Sequence, residues 1–341
     1  MAANTPDLPT DDVALLEQAS QGFQRLSREI GKVIVGQQDI VRALLAAVFA
    51  EGHVLVIGVP GLAKTLLVKT LADVLDWKFH RIQFTPDMMP ADIIGMELLQ
   101  EDVATGHRSM KFVPGPIFAN IILADEINRT PPKTQSALLE AMQEYTVTSM
   151  GRAHVLVKPF IVVATQNPIE QEGTYPLPEA QLDRFMFSLW MDYPSVEDEE
   201  QIVMETTAER GTVVEPLFSK EQLAAFQSLV RRIPVGRHVV SYAVALARST
   251  RPNGPAASEV AGSYIEWGAG PRAGQHMVLA GKALAVLDGV PAVTTTHIRQ
   301  AAPLVLRHRL VANYQASGEG VTVDDMIRRI TEEIPEPRYG R

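Results

Sequence analysis

His53-Val-Leu-Val-Ile-Gly58-Val-Pro-Gly-Leu-Ala-Lys-Thr65 decides the fold. The run from His53 to Gly58 is almost wholly apolar, as a strand covered on both faces must be. A glycine-rich turn follows, and Lys64–Leu75 then has the spacing of a helix. Strand, tight loop and helix in that order make a phosphate cradle. The glycines let backbone N–H groups turn inward, and a helix N-terminus adds about half a positive charge. Lys64 is placed to reach β- and γ-phosphates, and Thr65 to hold magnesium. The expected nucleotide contacts are therefore Gly58, Pro60, Gly61, Leu62, Ala63, Lys64, Thr65 and Leu66. Ala63 stands where the general pattern has glycine, and its methyl is expected to require an ordinary helical φ.

Similar buried strands recur at Asn120-Ile-Ile-Leu-Ala-Asp125 and Phe160-Ile-Val-Val-Ala-Thr165, with shorter candidates at Lys78–Phe84 and Phe185–Met191. Helix patterns lie between them, notably Pro132–Tyr145, and this alternation predicts a parallel sheet sandwiched by helices. Asp125 and Glu126 end the second strand at the sheet edge where ligands bind in open α/β sheets. Asp125 is expected to hold magnesium through water, and Glu126 to orient and deprotonate an attacking water. Asn167, in Ala164-Thr-Gln-Asn-Pro168, ends the next strand and is placed to touch the γ-phosphate or that water. Taken alone, a loop-capping asparagine is the better reading.

Past Asp192 the apolar strands stop and amphipathic helices take over, at Lys220–Ile233, Val239–Arg251, Arg272–Leu287, Thr294–Arg309 and Val323–Thr331. The expected organisation is an N-terminal helix or extension over 1–32, an α/β core over 33–193, a linker over 194–215 and a smaller all-helical domain over 216–341. Arg184, in Gln181-Leu-Asp-Arg-Phe185, precedes a strand, and Arg272 opens a helix after Gly270-Pro271. Either arginine can neutralise charge developing on a transferred phosphoryl group, and either can equally be a surface or structural arginine.

The 341 residues suggest roughly two domains at about 150 residues each. Absence of cysteine excludes disulfides and thiolate sites and fits a reducing, cytoplasmic setting. The N-terminal residues Met1–Asp12 have no basic or apolar segment of the secretory kind. Arg42, Glu51 and His53 interrupt the most apolar stretch, Ile40–Gly61, well short of the ~20 residues of a membrane span. A net charge of −9 argues against nucleic acid as the main partner. The eight histidines are scattered, without the spacing of a zinc site.

Together these motifs resemble the AAA+ ATPases, and within them the MoxR family, from about Val33 to Arg309. The most specific stretch is Leu123-Ala-Asp-Glu-Ile-Asn-Arg-Thr-Pro-Pro-Lys-Thr-Gln-Ser-Ala-Leu-Leu-Glu-Ala-Met-Gln-Glu144, which is similar to a family signature. Gln83-Phe-Thr-Pro-Asp-Met-Met-Pro-Ala-Asp-Ile-Ile-Gly95, Ala164–Pro168 and Leu182–Phe185 also match, and the family itself uses alanine at the Ala63 position. The resemblance implies that Val33–Gln37, with Val35 and Gly36, line an adenine pocket. It implies that Asn167 is sensor 1, Arg184 an arginine finger given to a neighbouring subunit, and Arg272 sensor 2, serving either its own nucleotide or the neighbour's. Arg129 is a weaker candidate for a second contact across subunits.

The resemblance further implies hairpins at Met96–Lys111, a polar stretch containing Gly106, and at Val147–Val157. The implied ligands are ATP and Mg2+, and the implied assembly is a ring, commonly a hexamer. The implied work is chaperone-like remodelling, maturation or activation of client proteins, often with partners bearing a von Willebrand factor A domain. The competing expectation is a nucleic-acid-dependent motor, kept open by Arg152, His154 and Lys158 on the second hairpin.

Overall fold

The computed structural model describes residues 11–101, 108–170, 173–207 and 213–337. Gly106 and the first ten residues lie outside them. Helix α1 (Asp12–Ile30) begins where the Asp11 carboxylate accepts a bond from the Val13 N–H. It is followed by α2 (Gln38–Phe49), β1 (Val54–Gly58), α3 (Lys64–Val74), β2 (Phe79–Gln83) and α4 (Pro90–Ile94). An antiparallel hairpin, β3 (Gly95–Glu101) with β4 (Arg108–Pro114), precedes β5 (Ile121–Asp125) and α5 (Pro132–Glu144). A second hairpin, β6 (Thr146–Ser149) with β7 (Arg152–Val155), leads to β8 (Ile161–Gln166), α6 (Glu179–Leu182) and β9 (Phe187–Met191).

Five strands form one sheet in the order β2-β5-β8-β1-β9, every pair parallel. The two-residue alternation of a strand sends neighbouring side chains to opposite faces. Val54, Val56, Leu123 and Val163 join one buried cluster with α1, α2 and α3. Leu55, Ile122, Val162 and Ala164 join the other, under α5. That two-sided cover is why these strands read as continuous apolar runs. Because all five run the same way, Gly58, Asp125 and Gln166 gather at one edge of the sheet.

The remaining chain is largely helical: α7 (Val196–Thr206), α8 (Lys220–Arg232), α9 (Arg237–Ser249), α10 (Glu259–Tyr264), α11 (Pro271–Leu287), α12 (Thr295–Leu306), α13 (Tyr314–Glu319) and α14 (Val323–Glu333). This lid also carries a short antiparallel ladder of β10 (Ile265–Trp267) with β11 (Val311–Ala312). The stretch 194–215, expected to be a linker, contains α7. Its start is fixed by Ser195, whose hydroxyl accepts from the Asp198 N–H, and by three acidic residues in the first turn. No helix among the described residues is long and apolar enough to cross a membrane.

Helices α1 and α2 join lid and sheet. Phe226 of α8 is fully buried edge-on to Phe49 of α2, at 6.1 Å, and to Phe218, at 5.5 Å. Beside it, Gln227 Nε2 donates to the Val48 carbonyl at 2.9 Å. Ser20 of α1 donates to the Leu287 carbonyl, and Arg42 of α2 pairs with Asp288 at 2.8 Å. Phe226→Ala is expected to remove about 3–5 kcal/mol by leaving a cavity at this joint. Calorimetry should show lower melting of the whole chain; a melt within a degree or so of the parent would mean the joint collapses without loss.

Candidate active site

Pro60, Gly61, Leu62, Ala63, Lys64 and Thr65 line one side of a cavity of about 360 Å³, and Arg81, Asp125, Glu126, Thr165 and Asn167 line the other. Gly58 ends β1 beneath the loop, and Leu66 faces outward from α3, 43% exposed. Helix α3 opens at Ala63 without a side-chain cap, so its first amides have no side-chain partner there. The expectation for Ala63 was wrong: its φ is +56°, in the left-handed region, where a Cβ costs about 1–2 kcal/mol. Lys64 Nζ bonds the carbonyls of Gly58 and Val59. Burial pushes its ammonium below the ordinary range, against the pull of Asp125 and Glu126.

The acid pair is held in a network. Asp125 is buried; its Oδ1 accepts from the Thr165 hydroxyl at 2.6 Å, and the same hydroxyl accepts from the Glu126 N–H at 2.9 Å. Glu126 Oε2 accepts from Gln83 Nε2 and from Arg129 Nη1, each at 2.9 Å. Arg129, a candidate for a contact across subunits, is thus paired within its own chain, also facing Glu170 at 3.9 Å. Glu126 itself has φ +56°, a strained setting of the kind found at reacting groups. Asn167 lines the cavity, and its Oδ1 accepts from the Ile169 N–H at 3.2 Å, the bond of a loop-capping asparagine. A threonine hydroxyl, a carboxylate, an ammonium and free helix-start amides form a donor set that fits a magnesium nucleotide.

Val35 and Gly36 line a separate, larger cavity of about 690 Å³ between α1 and α7. Gly36 has φ +67°, and a Cβ there would meet Asp198 Oδ2 at 2.7 Å. The next residue, Gln37, donates to the Asp192 carbonyl at 3.1 Å, which ties this segment to the end of β9. Met191 on β9 pairs with Gly58, so the segment adjoins the phosphate loop.

Arg184 and Arg272 lie elsewhere. They share a third cavity, of about 200 Å³, with Gly52, His53, Arg231 and His276. Gly52 and His53 precede β1, whereas the phosphate loop follows it. Five strand residues at ~3.3 Å each separate the two cavities by roughly 17 Å. Arg184 Nη1 donates to the Leu139 carbonyl.

The preceding residue, Asp183, takes Arg272 Nη1 on Oδ2 at 3.2 Å and Arg309 Nε on Oδ1 at 2.7 Å. Arg309 is buried and further bonds the carbonyls of Asp183 and Phe185 and the imidazoles of His276 and His308. Burial pushes its guanidinium down to about 10, with Asp183 opposing. Sequence reasoning missed Arg309, Arg81 and Gln83. Register gave a usable signal for the last two, since Gln83 pairs with Asp125 across β2 and β5. Nothing in the local pattern marks Arg309.

The basic residues of the second hairpin are engaged internally. Arg152 faces Glu97 at 3.8 Å, His154 stacks on Phe112 with ring centres 3.7 Å apart, and Lys158 lies over the Tyr145 ring at 4.1 Å. Among the described residues, no group of His, Asp and Glu side chains is arranged to hold a metal by itself.

Residues 53–187 match the family described as the ATPase family associated with various cellular activities, and residues 257–330 match the AAA lid domain. Chaperone MoxR1 of Mycobacterium tuberculosis is 40% identical over 320 residues, covering 93% of this chain and 82% of that protein. MoxR of Methylorubrum extorquens is 29% identical over 351 residues, covering 95% and 98%. A solved structure from Cytophaga hutchinsonii, described as a candidate ATPase, superposes with TM-score 0.86 at 38% identity, covering 95% of this chain and 98% of that one. These matches, with the parallel sheet and the helical lid, define an ATPase of the AAA+ class. Within that class, the chain belongs to the MoxR family.

Burial disfavours the charged form of three imidazoles, His53 and His276 lining the arginine cavity and His308 beside Arg309. His53 Nδ1 accepts from the Val162 N–H while Nε2 faces the Met142 carbonyl, and burial lowers its pKa to about 4. Burial, then Arg309 and Arg272, lower His276 to about 3; burial and Arg309 hold His308 well below 6.5. Unfolded histidines bind protons from about pH 6.5 downward, so the unfolded state gains protons first and acid destabilises the fold. Denaturation midpoints should be flat above pH 7 and fall from about 6.5 to 4, by up to about 1.4 kcal/mol per pH unit for each histidine. His276→Asn should flatten that fall; an unchanged slope would show that His276 is not among the titrating groups.

Proposed function

We propose that this ATPase hydrolyses magnesium ATP at the interfaces of a ring of identical subunits, and uses the cycle to remodel client proteins. The carrying observation is the separation of two half-sites. Lys64, Thr65, Asp125, Glu126 and Asn167 line one cavity, while Arg184 and Arg272 line another at the opposite end of β1. Each subunit then binds nucleotide with one edge of its sheet and offers two arginines to a neighbour's nucleotide with the other. Arg272 supports this arrangement as strongly as Arg184, because Asp183 ties it beside the finger rather than over its own phosphate loop. Repetition of such head-to-tail contacts closes a ring, a hexamer being the expected form.

In this reading Lys64 and the α3 amides hold the phosphates, while Val35 and Gly36 border the base. Thr65 and Asp125 would hold the magnesium, which would supply positive charge against the nucleotide's terminal phosphates. Glu126 exchanges Gln83 and Arg129 for the attacking water and takes its proton, and Asn167 positions that water. The neighbour's arginines meet the charge that develops on the γ-phosphoryl group. Exposed Leu99, Met110, Met150, Val155 and Val157 on the two hairpins supply apolar surface for a client. Partners with a von Willebrand factor A domain are the expected co-workers, on the strength of family membership. A nucleic-acid motor is not favoured, since the basic side chains of the second hairpin are already paired or stacked.

Mixing subunits tests the half-sites. Lys64→Ala lacks phosphate binding but keeps its arginines, and Arg184→Ala keeps its own pocket. Each alone should be nearly inactive, and mixed rings should recover turnover at the repaired interfaces, since such arginines contribute about 10³–10⁵ in rate. Arg272→Ala with Lys64→Ala should behave alike. Glu126→Gln should still bind ATP while hydrolysis drops about 10²–10⁴-fold. Mixed rings that assemble yet stay silent would contradict donation across the interface.

A further inference from the structure

Arg81 has no role in the reading above, yet it grips the carboxylate on which the magnesium site depends. It lies on β2, the outer strand of the sheet, one alternation before Gln83 and on the same face. Its Nε and Nη2 both donate to Asp125 Oδ2, at 3.0 and 2.6 Å. The other oxygen, Oδ1, takes the Thr165 hydroxyl at 2.6 Å. The side chain of Asp125 is only 10% exposed, whereas that of Arg81 is 47% exposed. The guanidinium borders the same cavity as Lys64 and Thr65.

We infer that Arg81 competes with magnesium for Asp125 Oδ2 and thereby sets the magnesium concentration at which nucleotide is bound tightly. The inference rests on the nucleotide-site reading proposed above. A carboxylate oxygen has two lone-pair positions, and the two donors of the guanidinium fork fill both. A water bound to magnesium needs one of them, so the fork must open before that water bonds to Oδ2. Placement favours such an exchange: the carboxylate is buried and fixed by Thr165, while the guanidinium stands half in solvent at a sheet edge and has room to leave. A flexible cation on a rigid anion is a displaceable counter-ion.

The exchange also reaches the water-activating acid. Arg81 Nη2 donates to Gln83 Oε1, and Gln83 Nε2 donates to Glu126 Oε2 at 2.9 Å. Departure of Arg81 removes one of the two bonds that hold the Gln83 amide in place, so arrival of the metal loosens the restraint on Glu126. Arg81 is on this account a positioning residue; it touches neither water nor phosphate in the reaction.

The test reads binding rather than turnover. The affinity of a fluorescent ADP analogue is measured in the full-length protein across a series of free magnesium concentrations, for the parent, Arg81→Gln and Arg81→Lys. Removing the fork should lower the magnesium midpoint roughly five-fold, the scale of a partly exposed charge-assisted pair. Arg81→Lys keeps the charge, loses the two-pronged geometry, and should shift the midpoint in the same direction by less. Manganese titration followed by electron paramagnetic resonance, with ADP present, should show tighter metal binding in Arg81→Gln. A midpoint that is unchanged or higher, in a variant that still binds the analogue, would overturn the inference. Failure of the parent to bind the analogue at any magnesium concentration would instead overturn the nucleotide-site reading. Should Arg81→Gln not fold, the Arg81→Lys shift alone decides, in the same direction.

Discussion

Asp183 is one point at which the lid is locked directly to the sheet. Arg309, almost wholly buried, reaches across the domain boundary to its Oδ1, and Arg272 takes its Oδ2. A buried guanidinium stripped of water is tolerable only when its donors are used, and those of Arg309 are spent on Asp183, on backbone carbonyls and on two neutral imidazoles. Removing the Asp183 carboxylate would leave Arg309 an unpaired buried charge, which typically costs about 3–5 kcal/mol. The chain next to this clasp is Arg184. Locking the lid therefore also sets where Arg184 stands and how far Arg272 lies from it.

That constraint gives each subunit two unlike edges. The parallel sheet puts the phosphate loop, the acid pair and Asn167 at the ends of β1, β5 and β8, and the clasp puts two arginines at the start of β1. The sheet fixes the distance between them, because a five-residue strand buried on both sides does not shorten or bend. On the proposed function neither cavity alone is sufficient for phosphoryl transfer, which relies on positive charge placed around the transferred group. On that proposal, assembly is the step that completes the chemistry.

Much of this was legible in the sequence, for identifiable reasons. Strands covered on both faces must be apolar throughout, so β1, β5 and β8 stood out, and the loop and acids at their ends followed from the direction of the sheet. The hairpins Gly95–Pro114 and Thr146–Val155 lie where a family resemblance, not periodicity, suggested hairpins. Ala63 misled because the loop, not the residue, dictates its φ. Gln37 and Glu126 carry positive φ values too, so three side chains bordering the nucleotide region sit in left-handed backbone. Helix α7 was hidden by its polar composition: it buries none of its residues, and an exposed helix has no apolar stripe to show. Arg309 was invisible for a deeper reason. Its partners lie 126 residues away at Asp183 and 33 away at His276, and only the closed fold brings them together.

The central claim is that Arg184 and Arg272, set by the Asp183 clasp, serve a nucleotide held by another subunit. A structure of the Glu126→Gln variant assembled with ATP measures this directly. The account predicts the guanidinium groups of Arg184 and Arg272 within hydrogen-bonding distance of the γ-phosphate bound by Lys64 of the adjoining subunit, with Asp183 still joined to Arg309. Finding Arg272 on the γ-phosphate of its own subunit, with its bond to Asp183 broken, would contradict it.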